Sequence, residues 1–170
     1  MNARTALVVL ATSLVGCSSL LPTQQEGCYA LTPVRPSGIL RDECQLLADA
    51  AGTLGARMTQ SGYILDVRFR FSSPDQGPVV DLAMAGRFDY GRDTFSVDGS
   101  AENIVLPIAG QSCQLQVVDV HLEGKTDPGA PTQFSGLIRV TTSTLRPEAC
   151  ICQAWFQYQA IRGTNASICP

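Results

Sequence analysis

Cysteine is the residue type whose number and spacing point most clearly to chemistry in this sequence. The chain of 170 residues contains seven cysteines, and six of them follow Cys17: Cys28, Cys44, Cys113, Cys150, Cys152 and Cys169. An even number of cysteines is typical of a disulfide framework in an exported protein. Cys150 and Cys152 lie two residues apart in a predicted strand, which places their side chains on one face roughly 7 Å apart, too far for an easy mutual bond. We expect them to have different partners, although the sequence does not select among the remaining pairings.

A metal site is the alternative use of clustered cysteines. Cys150-x-Cys152 lacks the usual spacing of a zinc knuckle, and the chain contains a single histidine, His121. An oxidising compartment also disfavours free thiolates. The sequence therefore predicts neither a metal site nor a cofactor.

His121 is the only imidazole that could act as a base. It alternates with Asp119 and Glu123 along a predicted strand, so the three side chains share one face and could form a carboxylate–imidazole–carboxylate row. The alternative, which we favour, is a solvent-exposed outer face opposite the apolar face of the same strand. A serine hydrolase would need a nucleophile on a sharp turn, and no Gly-x-Ser-x-Gly occurs. We therefore expect no enzyme activity.

Trp155 stands on the polar face of the last predicted strand, beside Gln153, Gln157 and Gln159. An indole offers apolar area together with one hydrogen-bond donor, so this residue could contact a ligand or a partner. The interpretation we favour is that the tether or the segment 42–51 covers the ring.

The N-terminal stretch has the features of a processing signal. Met1 to Arg4 provide a charged start, and an apolar run from Ala6 ends at Leu14-Val15-Gly16-Cys17. This stretch resembles the lipobox of bacterial lipoproteins, in which a branched apolar residue, a small residue and Gly or Ala precede a cysteine. The resemblance implies cleavage before Cys17, a thioether link from Cys17 to diacylglycerol, and acylation of the new amine, for example with palmitate. Ser18 rather than Asp at the next position implies sorting to the outer membrane.

A plain secretory signal and a transmembrane helix are the alternatives for this stretch. A membrane-spanning helix needs about 20 apolar residues, whereas Pro22 and the polar run 24–26 interrupt the apolar stretch too early. We expect residues 1–16 to be a lipoprotein signal peptide, residues 17–27 a lipidated tether, and residues 28–170 one disulfide-stapled β domain.

The charge of the chain argues against several classes of partner. The sequence contains 12 basic and 15 acidic residues, with Lys125 as its single lysine and no basic cluster. Binding of nucleic acid requires a concentrated positive face, so nucleic acid is not expected as a partner. A domain of this size can bury a core of its own, and we expect a monomer.

Apolar residues alternate with polar ones at 63–71, 82–90, 134–140 and 150–160, and short turns separate these segments. Eight or nine strands without crossover-length helices predict an all-β antiparallel meander, for which an up-and-down barrel is favoured over an open sandwich. One short helix is predicted near residues 42–51, where Asp42 would cap it; an irregular strand is the alternative for this segment.

Two local predictions concern the middle of the chain. Asp98-Gly99-Ser100 has the composition of a tight turn between two short strands. In the strand from Cys113 to Gly124, the apolar positions change from odd to even near Val117-Val118, which predicts a β-bulge.

The two ends of the predicted barrel resemble lipocalin-type barrels. Those barrels place Gly-x-Trp on the first strand and an arginine near the last; here Gly27-Cys28-Tyr29 begins the domain and Arg162 ends its final strand. Tyr29 stands where Trp is usual. The resemblance implies an interior that could hold a small apolar ligand, lined by Tyr63, Phe69, Phe88 and Phe156.

These observations support two hypotheses for the function. The first is a non-catalytic, lipid-anchored envelope lipoprotein whose surface interacts with another envelope component. The second is a lipocalin-like carrier of a small apolar ligand. A connected internal cavity of roughly a few hundred Å³ would favour the carrier, whereas an interior filled by side chains would leave the surface for interaction.

Overall fold

A computed structural model describes residues 25–47, 53–73, 77–108, 111–130, 132–144, 150–163 and 169. Cys17, the lipobox and the tether as far as residue 24 lie outside these residues. Within the described ranges, no helix combines the length and the apolar character that are needed to cross a bilayer.

The described residues form one antiparallel sheet that closes on itself. Its strands are β1 (Gly27–Pro33), β2 (Ile39–Asp42), β3 (Thr53–Ser61), β4 (Ile64–Ser73), β5 (Gly77–Asp89), β6 (Thr94–Ile108), β7 (Gln111–Thr126), β8 (Gln133–Ser143) and β9 (Gln153–Arg162). The strand order is β1-β3-β4-β5-β6-β7-β8-β9-β2, and a further pairing between β1 and β9 closes the barrel. Both β1 and β2 pair with β9. The strand β1 pairs with the C-terminal half of β9, and β2 pairs with the N-terminal half of β9. The predicted all-β barrel is confirmed.

Alternation of side chains along each strand builds the core. In β4, Leu65, Val67 and Phe69 are buried, while Asp66 and Arg68 between them are exposed. The prediction that Tyr63 belongs to the same inner face is wrong, because Tyr63 lies in the turn before β4 and its side chain is 67% exposed. A residue in the turn does not follow the period of two that the strand imposes.

The helix predicted near residues 42–51 is not formed over its described part. Ile39–Asp42 pair with β9 as a strand, and turns follow as far as residue 47. The carboxylate of Asp42 accepts hydrogen bonds from the backbone N–H groups of Leu46 (3.0 Å) and Leu47 (3.2 Å). Asp42 therefore caps backbone donors as predicted, but it does so in a turn, since the strand pairing of β2 fixes the preceding residues. Residues 48–51 lie outside the described residues.

The predicted turn at Asp98-Gly99-Ser100 is also wrong, because β6 runs through it without a break. All three residues pair with β7, and this ladder overrides the local turn composition. Asn103 has a φ of 55°, and the buried positions of β6 change there from odd to even. The buried positions of β7 change at residues 117–118, as predicted, yet the pairing register of the two strands is the same on both sides. Both strands therefore switch face together, and no one-sided bulge is needed.

Three disulfides fasten the barrel: Cys28–Cys169, Cys44–Cys152 and Cys113–Cys150. Cys150 and Cys152 have different partners, as predicted, although both precede β9 and are not part of it. They close loops that span 37 and 108 residues, and restriction of the unfolded chain by such loops contributes about 3–5 kcal/mol for each bond.

The buried hydroxyl of Thr142 joins β8 to this disulfide corner. It donates a hydrogen bond to the carbonyl oxygen of Cys150 (2.7 Å) and accepts one from the N–H of Cys152 (2.9 Å). The side chain is 1% exposed, so its loss would leave buried polar groups without partners.

Candidate functional site

The barrel interior is the site that the ligand-carrier hypothesis requires, and over the part of the chain that the structure describes, side chains fill it. Phe69, Phe88 and Phe156 are at most 4% exposed. Phe69 and Phe156 border an apolar cavity of about 30 Å³, which has room for little more than one water molecule. Three of the four residues predicted to line the interior are therefore inside the barrel, where they pack as core. Tyr63 is outside it.

Aromatic and polar side chains seal the end of the barrel at which the described chain begins. Tyr90 packs against Tyr63 and Phe88, with ring centroids 5.1 and 4.9 Å apart. The Gln60 amide donates a hydrogen bond to the Tyr90 hydroxyl (2.8 Å), and its carbonyl oxygen accepts one from the backbone N–H of Gln25 (2.8 Å). Gln25, in the range predicted as tether, is 2% exposed, so the barrel begins before β1.

The residues that carry the lipocalin resemblance meet in the structure. Tyr29 pairs with Arg162 across β1 and β9. Gly27 has a φ of 122°, and a Cβ atom there would lie 2.7 Å from Nε of Arg162. The guanidinium group of Arg162 therefore packs in space that a larger residue at position 27 would occupy. Tyr29 is fully buried, and burial raises the pKa of its phenol. This contact is structural, because it closes the barrel between its first and last strands.

The pairing of β5 to β9 places two rows of outward-facing side chains next to each other. The first row is Arg87, Ser96, Glu123, Leu137 and Gln157; the second is Asp89, Thr94, Lys125, Ser135 and Gln159. All ten residues line an open groove of about 850 Å³ on the outside of the barrel, which we call the outer groove. It crosses five strands, or about 19 Å at an inter-strand spacing of about 4.8 Å.

Two glycines form the floor of the outer groove. Gly124 of β7 pairs with Gly136 of β8. On the inner side, a Cβ atom on Gly124 would overlap the ring of Phe95, and one on Gly136 would overlap the carbonyl oxygen of Glu123. The Tyr158 hydroxyl donates a hydrogen bond to that same carbonyl (2.9 Å), and burial raises the pKa of Tyr158 well above its ordinary value. The two strands can pack this closely only without side chains at these positions.

The connection between β1 and β2 forms one wall of the outer groove. It folds over β9, where the N–H of Val34 donates to the carbonyl of Gln157 (2.9 Å) and the N–H of Gln157 donates to the carbonyl of Gly38 (2.7 Å). Val34 from this connection and Leu40 at the start of β2 line the groove, and Leu40 is 56% exposed.

A third row of outward side chains borders the groove, and we call it the rim row: Arg41, Trp155, Arg139, His121 and Asp98. The guanidinium carbons of Arg41 and Arg139 lie 5.5 and 5.9 Å from the centre of the Trp155 ring, which is cation–π distance. Arg41 directly precedes the segment predicted to cover Trp155. Of the two segments predicted to cover the ring, the tether 17–27 and residues 42–51, the parts 17–24 and 48–51 lie outside the described residues.

The predicted carboxylate–imidazole–carboxylate row is formed, but Asp98 takes the place predicted for Asp119. The two ring nitrogens of His121 contact Asp98 (2.5 Å) and Glu123 (2.9 Å), whereas Asp119 accepts a hydrogen bond from Ser100 (2.6 Å). Burial, the largest single influence, lowers the pKa of His121, but hydrogen bonds with Asp98 and Glu123 and their charges outweigh it and raise the pKa above 6.5. With both nitrogens engaged by carboxylates, the imidazole acts as an ion-pair partner. No group of three or more metal-ligating side chains is present among the described residues.

The rim row and the outer groove differ in how their polar groups are used. In the rim row, Arg139 bonds Glu123 (3.2 Å) and Arg41 bonds both Glu43 (2.8 Å) and Gln153 (2.9 Å). In the groove, by contrast, many polar side chains make no hydrogen bond to another described residue. They are the side chains of Arg87, Thr94, Ser96, Lys125, Ser135, Gln157 and Gln159. The groove therefore presents polar groups that have no side-chain partner within the described ranges.

Sequence reasoning did not find the outer groove. Its residues come from five strands, and only the register of the barrel brings them together. The available signal was an isolated glycine within each of two alternating strands, Gly124 and Gly136, which indicates a close backbone approach.

Comparison with known proteins adds one structural likeness. No protein-family model and no curated protein matches the sequence. A solved structure of a redesigned beta barrel, mFAP1, bound to DFHBI, is similar with a TM-score of 0.44 and 16% identity, covering 81% of this chain and 94% of that one. The closed barrel described above follows from the strand pairing of this chain itself.

Proposed function

We propose that this protein is a lipid-anchored, non-catalytic lipoprotein of the bacterial outer membrane whose barrel acts through its outer surface. One contrast carries the proposal: inside the barrel the described residues leave an apolar cavity of about 30 Å³, and on its outside they line a groove of about 850 Å³. The partner is then an envelope component that contacts the outer groove.

The anchor would be Cys17. One acyl chain gives only reversible membrane binding, whereas two or more hold a protein stably. Between Cys17 and Gln25, the first described residue, the chain can span about 28 Å at most when fully extended. The barrel would therefore stay close to the membrane surface, with the sealed end near Gln25 nearest the tether.

Two features support a role without catalysis. His121 is held between the carboxylates of Asp98 and Glu123. The hydroxyl of Ser100 on the same face donates its hydrogen bond to Asp119. A base that activates a nucleophile must contact it directly, and the contacts of His121 are acidic groups.

The carrier hypothesis requires a different interior. Ligand sites in proteins typically occupy roughly 300–1,000 Å³, so core residues such as Phe69 and Phe156 would have to move aside for a ligand to enter. The filled interior supports the surface-acting role over the carrier.

Mass spectrometry of the intact mature protein tests this proposal. The full chain is expressed in a bacterial host, purified from membranes in mild detergent, and compared with the variant Cys17→Ser. We expect an N-terminus at Cys17 with diacylglycerol and a further acyl chain, three disulfides, and no co-purified apolar molecule. The Cys17→Ser protein should lack the lipid mass and leave the membrane fraction. An unmodified Cys17 would contradict the anchor, and a bound apolar ligand would favour the carrier.

A further inference from the structure

We infer that the outer groove binds an uncharged oligosaccharide chain. The inference deepens the proposed function, on which it rests, by naming the chemistry of the envelope component. Four properties of the groove support it: its hydrogen-bonding groups, its charge balance, its use of the backbone and its length.

The first property is the kind of polar group that the groove presents. Hydroxyls of Thr94, Ser96 and Ser135 and amides of Gln157 and Gln159 line it, and none of these side chains bonds another described residue. Hydroxyls and amides each donate and accept hydrogen bonds. A sugar chain carries hydroxyls with the same dual capacity, so each of its groups can find a complementary partner here.

The second property is the balance of charge. Arg87 and Lys125 contribute positive charge to the groove, and Asp89 and Glu123 contribute negative charge. Because charges of both signs alternate along the groove, neither a polyanion nor a polycation gains a consistent attraction over its length. An uncharged ligand needs no such match, and charged side chains form strong hydrogen bonds with neutral hydroxyls.

The third property concerns the backbone. A peptide that binds a sheet as an added strand needs unpaired N–H and C=O groups at a sheet edge. The groove floor lies on β7 and β8, which pair with each other and with β6 and β9. The backbone of the floor is therefore already hydrogen-bonded, and recognition must come from side chains.

The fourth property is the length of the groove. It crosses five paired strands, so it extends for about 19 Å at the usual inter-strand spacing. This length suits several linked sugar units lying across the strands. Because the side chains project from paired strands, the spacing of their Cα atoms is fixed before binding, which lowers the entropic cost on the side of the protein backbone.

Titration of the full-length lipidated protein in detergent with defined probes tests the inference. The probes are two uncharged tetrasaccharides, chitotetraose and maltotetraose, an anionic tetragalacturonate, and an extended polar peptide. Binding is followed by calorimetry and by the fluorescence of Trp155, the chain's only tryptophan. We expect at least one uncharged tetrasaccharide to bind with a millimolar or lower dissociation constant that is insensitive to salt.

Two variants locate the binding site. Gln157→Ala/Gln159→Ala removes two amides from the groove and should weaken binding about tenfold, given the usual contribution of such hydrogen bonds. The matched control is Gln114→Ala/Gln116→Ala, which removes two exposed amides with the same spacing from β7 outside the groove. Ser135→Tyr should place a bulky ring in the groove beside its floor and abolish binding. Ser61→Tyr, at the exposed end of β3, should leave binding unchanged.

The outcomes distinguish failure of the oligosaccharide site from failure of the lipid anchor. Binding of neither uncharged tetrasaccharide, binding of only the anion or the peptide, or equal weakening by the glutamine pair outside the groove would overturn the inference. A lipidated Cys17 would in that case leave the anchor proposal intact. An unlipidated protein that still binds an uncharged tetrasaccharide in the groove would overturn the anchor and retain the sugar site.

Discussion

The same strands form the inner and the outer face of this barrel, and the two faces differ in what their side chains do. In β9, Phe156 and Tyr158 point inward and are buried, while Gln157 and Gln159 point outward into the groove. The inner residues pack against one another so completely that the cavity there is about 30 Å³. The outer residues carry polar groups without partners among the described residues. In this part of the barrel wall, the inner side chains therefore contribute most to stability, and the outer side chains present polar groups to a ligand.

Truncating one side chain on each face of β9 tests whether the inner face contributes more to stability than the outer face. Phe156→Ala should lower the free energy of unfolding by about 4 kcal/mol, because it removes buried apolar surface and leaves a cavity. Gln157→Ala, on the opposite face, should change it by no more than about 0.5 kcal/mol. Chemical denaturation with the disulfides intact measures both. Similar losses for the two variants would contradict the division between the faces.

The floor of the groove is where the two faces come closest, and a single methyl group tests it. Gly136→Ala should cost about 3 kcal/mol, because the new Cβ atom overlaps the backbone of β7 and the strands must separate. Gly163→Ala is the control, since its Cβ atom would meet nothing within 4 Å. Thermal unfolding of both proteins provides the measurement. A neutral Gly136→Ala would mean that β7 and β8 do not approach as described.

The inner face also depends on one hydroxyl. Thr142→Val should cost about 2 kcal/mol, because the variant keeps the shape of the side chain but leaves backbone groups of Cys150 and Cys152 without their partner. Its neighbour Thr141 points outward and is exposed, so Thr141→Val should be nearly neutral. Urea unfolding compares the two. Equal effects would show that the hydroxyl does not hold the disulfide corner.

The rim row should give the smallest effect, one that depends on pH. The folded state raises the pKa of His121 above 6.5, so the charged imidazole stabilises the fold most fully below the pKa of the unfolded chain, about 6.5. This contribution is lost as the pH rises through the higher pKa of the folded state. Because Asp98 is largely exposed, solvent screens the pair and the contribution should be about 0.5 kcal/mol.

His121→Gln removes this contribution, so the wild-type advantage should exist in mild acid and vanish in mild alkali. His121 is the only histidine, and its NMR titration therefore reports the pKa directly. Asp98→Asn should lower that pKa. A pKa below 6.5 in the wild type would contradict the pairing with Asp98 and Glu123.

The fold could be predicted from the sequence wherever a strand has one buried face. The alternation of Leu65, Val67 and Phe69 with exposed residues is enough to identify β4 and its inner side. The prediction failed where long-range pairing overrides local composition. Asp98-Gly99-Ser100 has the composition of a turn and becomes the middle of β6 because β7 pairs along it. The segment after Asp42 has the pattern of a helix, and the pairing of the preceding residues Ile39–Asp42 with β9, which fixes the chain where that segment begins, is invisible locally.

The outer groove could not be predicted for a related reason. Ser96, Ser135 and Gln157 are ordinary outward residues, each in its own strand, and nothing in a single strand marks them as neighbours. Only the closed register across β6, β8 and β9 places them in one groove. The interior had the opposite difficulty, because the lipocalin resemblance implied a ligand space that close packing of the described side chains does not leave open.

Chemical-shift mapping locates the ligand site on the barrel residue by residue. The labelled mature protein is titrated with an uncharged tetrasaccharide and, separately, with a fatty acid as an apolar probe. Shifts confined to outward residues of the groove, such as Ser96, Ser135 and Gln157, with no saturable response to the fatty acid, are the expected result. Saturable shifts at Leu54, Phe69 and Phe156 on addition of the fatty acid would contradict the account, because they would place the binding site inside the barrel.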